Sequence, residues 1–281
     1  MTRRTNEGTT FMTAAVTESQ PLPRVMTIAG SDSGGGAGIE ADLKTFTVLG
    51  CYGMAAVTAV TSQNTQGVFG IHEVPPEEVG RQIRVVLEDI GADAVKTGML
   101  ASAPIIEAVA AELRRFDTKN VVVDPVMVAK SGDALLHETA RDALVRRLLP
   151  LAIVVTPNVP EAEALSGLRI ASEAELRRAA ERVHALGPRY VLMKGGHLEG
   201  PEAVDYLYDG RTLERFAAPR FDTPHTHGTG CTYASAIAAW LARGESVPEA
   251  VRRAKDYVTG AIRHHIPIGR GRGPLNHLWR R

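Results

Sequence analysis

Short apolar runs, each closed by glycine or polar residues and followed by residues at helical spacing, recur along this chain; no other feature limits its fold as strongly. Val25-Met26-Thr27-Ile28-Ala29 reads as a buried strand ended by the glycine-rich stretch 30–38. Ile39, Leu43, Phe46 and Leu49 then share one helical face, and Gly50 stops the helix. Residues 55–60 predict the next strand and 61–67 a polar loop able to fold over a ligand. Pro75-Pro76 introduces a helix carrying Val79, Ile83, Val86 and Ile90. Further strands are expected at 94–96, 121–123, 153–155 and 190–193, with helices over 104–115 and 138–148 and others starting at Val159 and Ser172. Only 204–208 and 212–216, joined at Asp209-Gly210, read as an antiparallel hairpin. The last third is helical, over 229–242 and from Val247 to about His264. The pattern predicts an α/β fold with a mostly parallel sheet covered on both faces.

No internal repeat, low-complexity block or proline-rich linker interrupts it, so 23–281 is expected to form one domain. Residues 1–22 are polar, with no apolar core long enough for a signal peptide, and read as a flexible tail. No window approaches the ~20 consecutive apolar residues of a membrane span. Thirty-two basic residues balance thirty-two acidic ones, which removes any global field for nucleic acid or anionic membrane and leaves a small molecule as the expected partner. Arg270, Arg272, Arg280 and Arg281 are too few to change that and read as a solvated end. Cys51 and Cys231 are the only cysteines, which suits a reducing cytoplasm rather than a disulfide framework.

Ligands of open parallel sheets bind outside the carboxyl ends of the strands, so the residues just after each strand belong together. Here they are Gly30, Ser31 and Asp32; Gln63 and Asn64; Thr97, Gly98 and Met99; Asp124; Asn158 and Glu161; Lys194, Gly195 and Gly196; and Gly228-Thr229-Gly230-Cys231. Carboxylates, a lysine and glycine-rich turns are the parts that hold a metal-bound polyphosphate. Residues 228–231 open the helix carrying Ala234, Ile237, Ala238 and Leu241, so their free amides and the helix dipole make an anion cradle. The same field is expected to pull Cys231 below the ordinary thiol value of ~8.5 and fit it as a base.

Other readings fit less well. His225, His227 and Cys231 as zinc ligands lack a fourth ligand or a Cys-x-x-Cys pair. A Gly-x4-Gly-Lys-Ser/Thr loop is absent. Gly30-x3-Gly34-x-Gly36 and Tyr190-x3-Lys194 mimic short-chain NAD(P) oxidoreductases, but that Tyr–Lys pair belongs on a helix and 190–194 reads as a strand.

Segments 29–39, 41–46, 63–65, 98–100, 129–132, 156–158, 194–197 and 227–231, in this order, resemble the hydroxymethylpyrimidine/phosphomethylpyrimidine kinases of thiamine biosynthesis. The likeness runs from about Val25 to His277. It implies a ribokinase-like three-layer sandwich, assembled as a homodimer. It also implies use of ATP and Mg²⁺ to phosphorylate 4-amino-5-hydroxymethyl-2-methylpyrimidine and then its monophosphate. By resemblance, Cys231 is the base, Gly228 and Gly230 form the anion hole, and Lys194 neutralises phosphates. Gln63 reads the pyrimidine, while Gly30, Asp32, Ala37, Met99 and Val126 lie on the substrate side. Asn158, Thr156 and Thr229 lie on the nucleotide side, and Glu161 and Asp124 on the metal side. The roles of Asp32 and Asp42 stay open. A pyridoxal kinase of the same fold is the close alternative, and a pyrimidine-binding sensor without transfer the non-enzymatic one.

Overall fold

The computed structural model describes residues 21–127, 138–195 and 200–280. Most of the expected tail, segment 129–132, and Gly196 and His197 lie outside these. Eight strands form one sheet in the order β10-β9-β8-β7-β6-β5-β1-β2. Six are parallel: β1 (Arg24–Ala29), β2 (Tyr52–Val57), β5 (Ala94–Thr97), β6 (Val121–Val123), β7 (Val154–Val155) and β8 (Tyr190–Lys194). The expected hairpin, β9 (Glu202–Tyr208) and β10 (Leu213–Pro219), closes one edge antiparallel.

Successive strand residues point to opposite faces, and the two faces are covered by different helices. Met26, Ile28, Val95, Val121, Val123, Val155 and Val191 pack under α2 (Pro76–Asp89), α3 (Ala103–Arg115), α4 (Glu138–Ala143), α5 (Val159–Ser166) and α6 (Glu173–His184). Val25, Ala94, Val122, Val154 and Leu192 pack under α1 (Gly38–Val48), α7 (Thr229–Ala242) and α8 (Val247–Arg263). The result is a three-layer α/β sandwich with a core on each side of the sheet. No described helix is long and apolar enough to cross a membrane.

The strand expected over 55–60 is corrected to two. β2 ends at Val57, and β3 (Ala59–Gln63) leaves the sheet to pair antiparallel with β4 (Val68–Glu73), so the expected polar loop shrinks to the tip of a hairpin. Thr58 is the pivot: buried, its amide donates to Ala29 O, its hydroxyl to Met99 O, and its carbonyl accepts from Val74 N. Apolar periodicity runs on through such a pivot, because a strand changing sheets keeps its local conformation.

The chain passes from β1 to β2 on one side and returns to β5 on the other, so the loops after β1 and β5 part at a switch point of the sheet, where a crevice forms.

Candidate active site

The cradle forms as the helical reading requires, and glycine is obligatory at its start. Gly228 caps α7 with φ of 81°, in the left-handed region, and an added Cβ would overlap the Gly36 carbonyl oxygen. Thr232 N bonds Gly228 O as the first helical link, leaving the amides of Gly230 and Cys231 without a carbonyl one turn back. The Thr229 hydroxyl, expected to serve the nucleotide, donates to Thr226 O at 2.7 Å and tightens the turn.

Lys194 and Asp124 stand beside the cradle. A Cβ on Gly230 would lie 3.4 Å from Lys194 Nζ and 3.5 Å from Asp124 Oδ2. Lys194 Nζ donates to Asp124 Oδ1 at 2.9 Å, and the Thr156 hydroxyl donates to the same oxygen at 3.0 Å. Thr156 is therefore a buried brace for Asp124. Burial works against the Lys194 charge, but Asp124 and Glu161 outweigh it and raise the ammonium above the ordinary lysine value.

Asn158 and Glu161 form a capping box on α5: Glu161 N donates to Asn158 Oδ1 at 2.9 Å and Asn158 N to Glu161 Oε2 at 2.8 Å. Their spacing is thus explained by helix capping as well as by metal chemistry. Burial, reinforced by Asp124 and opposed by Lys194 and the Asn158 bonds, raises the Glu161 carboxyl. Two carboxylates share one lysine here, so a further cation would relieve the local charge, and the donor set fits Mg²⁺ held by one or two carboxylates.

The expected depression of the Cys231 thiol is corrected. The residue keeps a part-exposed face, but burial pushes its thiol up to about 11. Lys96 and the Gly38 amide pull it down, Asp42 and Asp124 push it up, and desolvation outweighs the helix terminus.

Among the positions expected to face the substrate, Met99 O accepts from Gly30 N and from the Thr58 hydroxyl, which fixes the methionine at the crevice. A Cβ on Gly30 would come within 3.0 Å of Met99 Cε, and Met99 packs with Ala59, Ala101 and Val126. This small apolar wall brings together Gly30, Met99 and Val126, three of the positions that the resemblance assigns to the substrate. Asp32, expected beside the substrate, is 1% exposed and turned into its own loop. Its oxygens accept from Gly34, Gly36 and Ala37 amides and, at 2.8 Å, from His227 Nε2. Those bonds outweigh burial and hold its carboxyl below the usual value.

His227, for which the sequence offers no role beyond the zinc reading and its place in segment 227–231, takes a structural part at the rim. It ties the glycine loop to the cradle and lies 3.4 Å from Gln63 Nε2. Since Nε2 of His227 gives its hydrogen to Asp32, the Gln63 amide keeps its hydrogens for a ligand, while its oxygen, which accepts from the Thr61 hydroxyl at 3.3 Å, has a second lone pair to offer. His225 instead stacks on His265 and accepts from Gly273 N. Among the described residues no three or more histidine, cysteine and carboxylate side chains gather as a metal site, and the histidines weighed for zinc are engaged with Gly273 and Asp32. The Tyr–Lys pair of the oxidoreductase reading lies on β8, not a helix.

A family model described as phosphomethylpyrimidine kinase matches residues 32–276. The chain is 56% identical over 260 residues to a thiamine biosynthesis bifunctional protein of Geobacter sulfurreducens, covering 92% of this chain and 53% of that longer protein. It is 56% identical over 268 residues to a hydroxymethylpyrimidine/phosphomethylpyrimidine kinase of Streptomyces coelicolor, covering 95% and 98% of the two chains. Among solved structures, an ADP complex of Bacillus subtilis pyridoxal kinase superposes with a TM-score of 0.85 at 42% identity, over 91% and 97% of the two chains. With a cradle, a lysine–carboxylate pair and an apolar wall on one rim and a family match across most of its length, the chain belongs to the phosphomethylpyrimidine kinase family.

Proposed function

We propose that this protein transfers the γ-phosphoryl group of ATP to the hydroxymethyl oxygen of 4-amino-5-hydroxymethyl-2-methylpyrimidine and then phosphorylates the monophosphate to the diphosphate, serving thiamine biosynthesis. The observation that carries the reading is the adjacency of Gly228 to Cys231, with Lys194 and Asp124, to the wall of Gly30, Met99 and Val126 across one switch-point crevice.

Phosphoryl transfer needs little covalent help from protein and depends on position and charge. The ring lies against Met99 and Val126, and Gln63 offers an acceptor and a donor to the exocyclic amine and its neighbouring ring nitrogen. The Gly230 and Cys231 amides hold the charge that develops on the transferring group, and Lys194 neutralises the nucleotide's phosphates. Cys231, as thiolate, takes the hydroxymethyl proton as the oxygen–phosphorus bond forms. Asn158 and Glu161 border the nucleotide's phosphates. Asp124 and Glu161 would hold Mg²⁺, which when bound neutralises phosphate charge. Ala37 closes the substrate side where α1 begins.

Val60, Phe69 and Ile71 are exposed on the β3–β4 hairpin, and burying them against a second copy accounts for a homodimer. Two free cysteines agree with a cytoplasmic protein.

The likeness to a pyridoxal kinase supports one competing substrate, pyridoxal, whose ring also bears a hydroxymethyl group. Offering hydroxymethylpyrimidine, its monophosphate and pyridoxal separately with ATP and Mg²⁺, and resolving products by mass, decides between them. Mono- and diphosphates of the pyrimidine are expected. Phosphate on pyridoxal alone would transfer the reading to that activity, and ATP binding with no transfer to a sensor.

A further inference from the structure

Beneath the cradle lies a second charged layer. Thr27 and Lys96 face each other in register on β1 and β5, on the side of the sheet covered by α1 and α7. With Asp42 of α1 and Ser235 of α7, they are fully buried. One carboxylate joins all four: Lys96 Nζ donates to Asp42 Oδ1 at 3.0 Å and Oδ2 at 2.8 Å, Thr27 Oγ1 to Oδ2 at 2.6 Å, and Ser235 Oγ to Oδ1 at 2.6 Å. Four bonds saturate Asp42, whereas Lys96 spends two of its three ammonium hydrogens on it. The ammonium stands near the end of β5, where a Cβ on Gly98 would come within 2.7 Å of Nζ.

The register of the helices aligns this layer with the cradle. Ser235 is one turn beyond Cys231 on α7, and Asp42 one turn beyond Gly38 on α1, so each pair shares a helix face. The Gly38 amide is among the groups that favour the Cys231 thiolate, and the next turn of both helices makes the Asp42–Ser235 bond. Burial disfavours the Lys96 charge, yet Asp42 foremost, then Cys231 and Asp124, raise its pKa, so it stays an ammonium. A buried ion pair adds little net stability over well-packed apolar residues of the same volume. A cation buried in this layer, joined through Asp42 to the turn of α7 next to Cys231 and with its charge reaching that sulfur, calls for a reason other than stability.

We propose that Lys96, held in place by Asp42, is a positioning residue for phosphoryl transfer: its fixed charge beneath the cradle stabilises the thiolate of Cys231 that accepts the hydroxymethyl proton. The proposal rests on the reading of Cys231 as base. In the step, the sulfur gains the hydroxymethyl proton, the substrate oxygen bonds the γ-phosphorus, and the bond from that phosphorus to the β,γ-bridging oxygen breaks, releasing ADP. The thiol then returns its proton to water, and Lys96 keeps all of its own. The groups whose charge reaches Cys231 are Lys96 of β5 and the Gly38 amide of α1, which favour the thiolate, Asp42 of α1 and Asp124 after β6, which oppose it, and Lys194 at the end of β8.

The test reads the thiol directly. In a Cys51→Ala background, where Cys231 is the only thiol, the rate of iodoacetamide alkylation is measured from neutral to alkaline pH on the ligand-free full chain. Lys96→Met is expected to slow alkylation at neutral pH by about tenfold, equivalent to an upward thiol shift of about one unit. Asp42→Asn is expected to speed it, and Lys96→Arg to leave it near the parent rate. A residue that served packing alone would not give opposite signs for the two partners. Lys96→Met leaves a buried carboxylate without its cation, so a Lys96→Met/Asp42→Asn double variant, whose carboxamide oxygen accepts from one of the Thr27 and Ser235 hydroxyls and whose amide donates to the other, covers the case of misfolding; it should still be slower, by a smaller factor. A folded Lys96→Met or double variant alkylating at the parent rate would overturn the proposal. In turnover, Lys96→Met should lower kcat with KM for both substrates unchanged. Full turnover in Cys231→Ala would instead remove the base reading, while the alkylation ratios still report whether Lys96 governs the thiol.

Discussion

Replacing Cys231 by alanine and following kcat against pH tests the chemistry most directly. With the thiol at about 11, the thiolate fraction at pH 7 is ~10⁻⁴, since each unit of difference is a factor of ten. A positioned base typically contributes ~10²–10⁴-fold, so at neutral pH the scarcity of thiolate offsets much of that benefit. The two effects combine in a distinctive profile. Deprotonation of Cys231 proceeds as pH rises, so kcat of the parent enzyme should climb about tenfold per unit through the neutral and mildly alkaline range, until another step limits. The Glu161 carboxyl, raised by burial, also deprotonates with rising pH, so its titration adds to the lower part of the same limb. Cys231→Ala retains Glu161, and the difference between the two profiles isolates the thiol. The variant should run well below the parent, with the alkaline climb gone and the KM for ATP nearly unchanged. The assay is steady-state formation of the pyrimidine monophosphate with buffer ionic strength held constant. Equal kcat and an equal alkaline slope in the alanine variant would refute a proton transfer to sulfur.

Other consequences follow from the geometry of the rim. Gly228→Ala should lose transfer and lower the melting temperature, because a side chain at φ of 81° costs of order 1–3 kcal/mol and its Cβ also meets the Gly36 carbonyl; a thermal melt checks this. Asp32→Asn should weaken stability selectively. The folded-state value of Asp32 is lowered, so its contribution is present above the unfolded value of ~3.9 and is lost as pH falls through the folded one. Urea unfolding from neutral to acid pH should therefore show a shallower acid limb in the variant. Gln63→Leu should raise KM for the pyrimidine and leave that for ATP alone, by steady-state kinetics. Phe69→Glu, on the exposed hairpin, should abolish the proposed homodimer in analytical ultracentrifugation, and a dimeric mass unchanged by the substitution would place the interface elsewhere.

Much of this molecule was legible before any coordinates, and for local reasons. The alternation of strand and helix, the edge hairpin at Asp209-Gly210 and the start of α7 at Thr229 depend on periodicity and on glycine, both properties of neighbouring residues. Reading the strand ends together also singled out Gly30, Met99, Asp124, Lys194 and Gly228 to Cys231, because a parallel sheet brings the ends of its strands to one side. What the tertiary structure decided were matters of distance between remote segments and of dielectric. The pivot at Thr58 is made by bonds to Ala29, Val74 and Met99, none of which periodicity can reveal. Asp32 turned inward because His227, 195 positions away, completes its shell. The sign of the Cys231 shift followed desolvation rather than the helix terminus, and the charge opposing that desolvation comes from Lys96, which in the sequence is one charged residue in a short strand. Local pattern determines which elements form; burial, set only when all of them pack, determines the protonation state of what they carry.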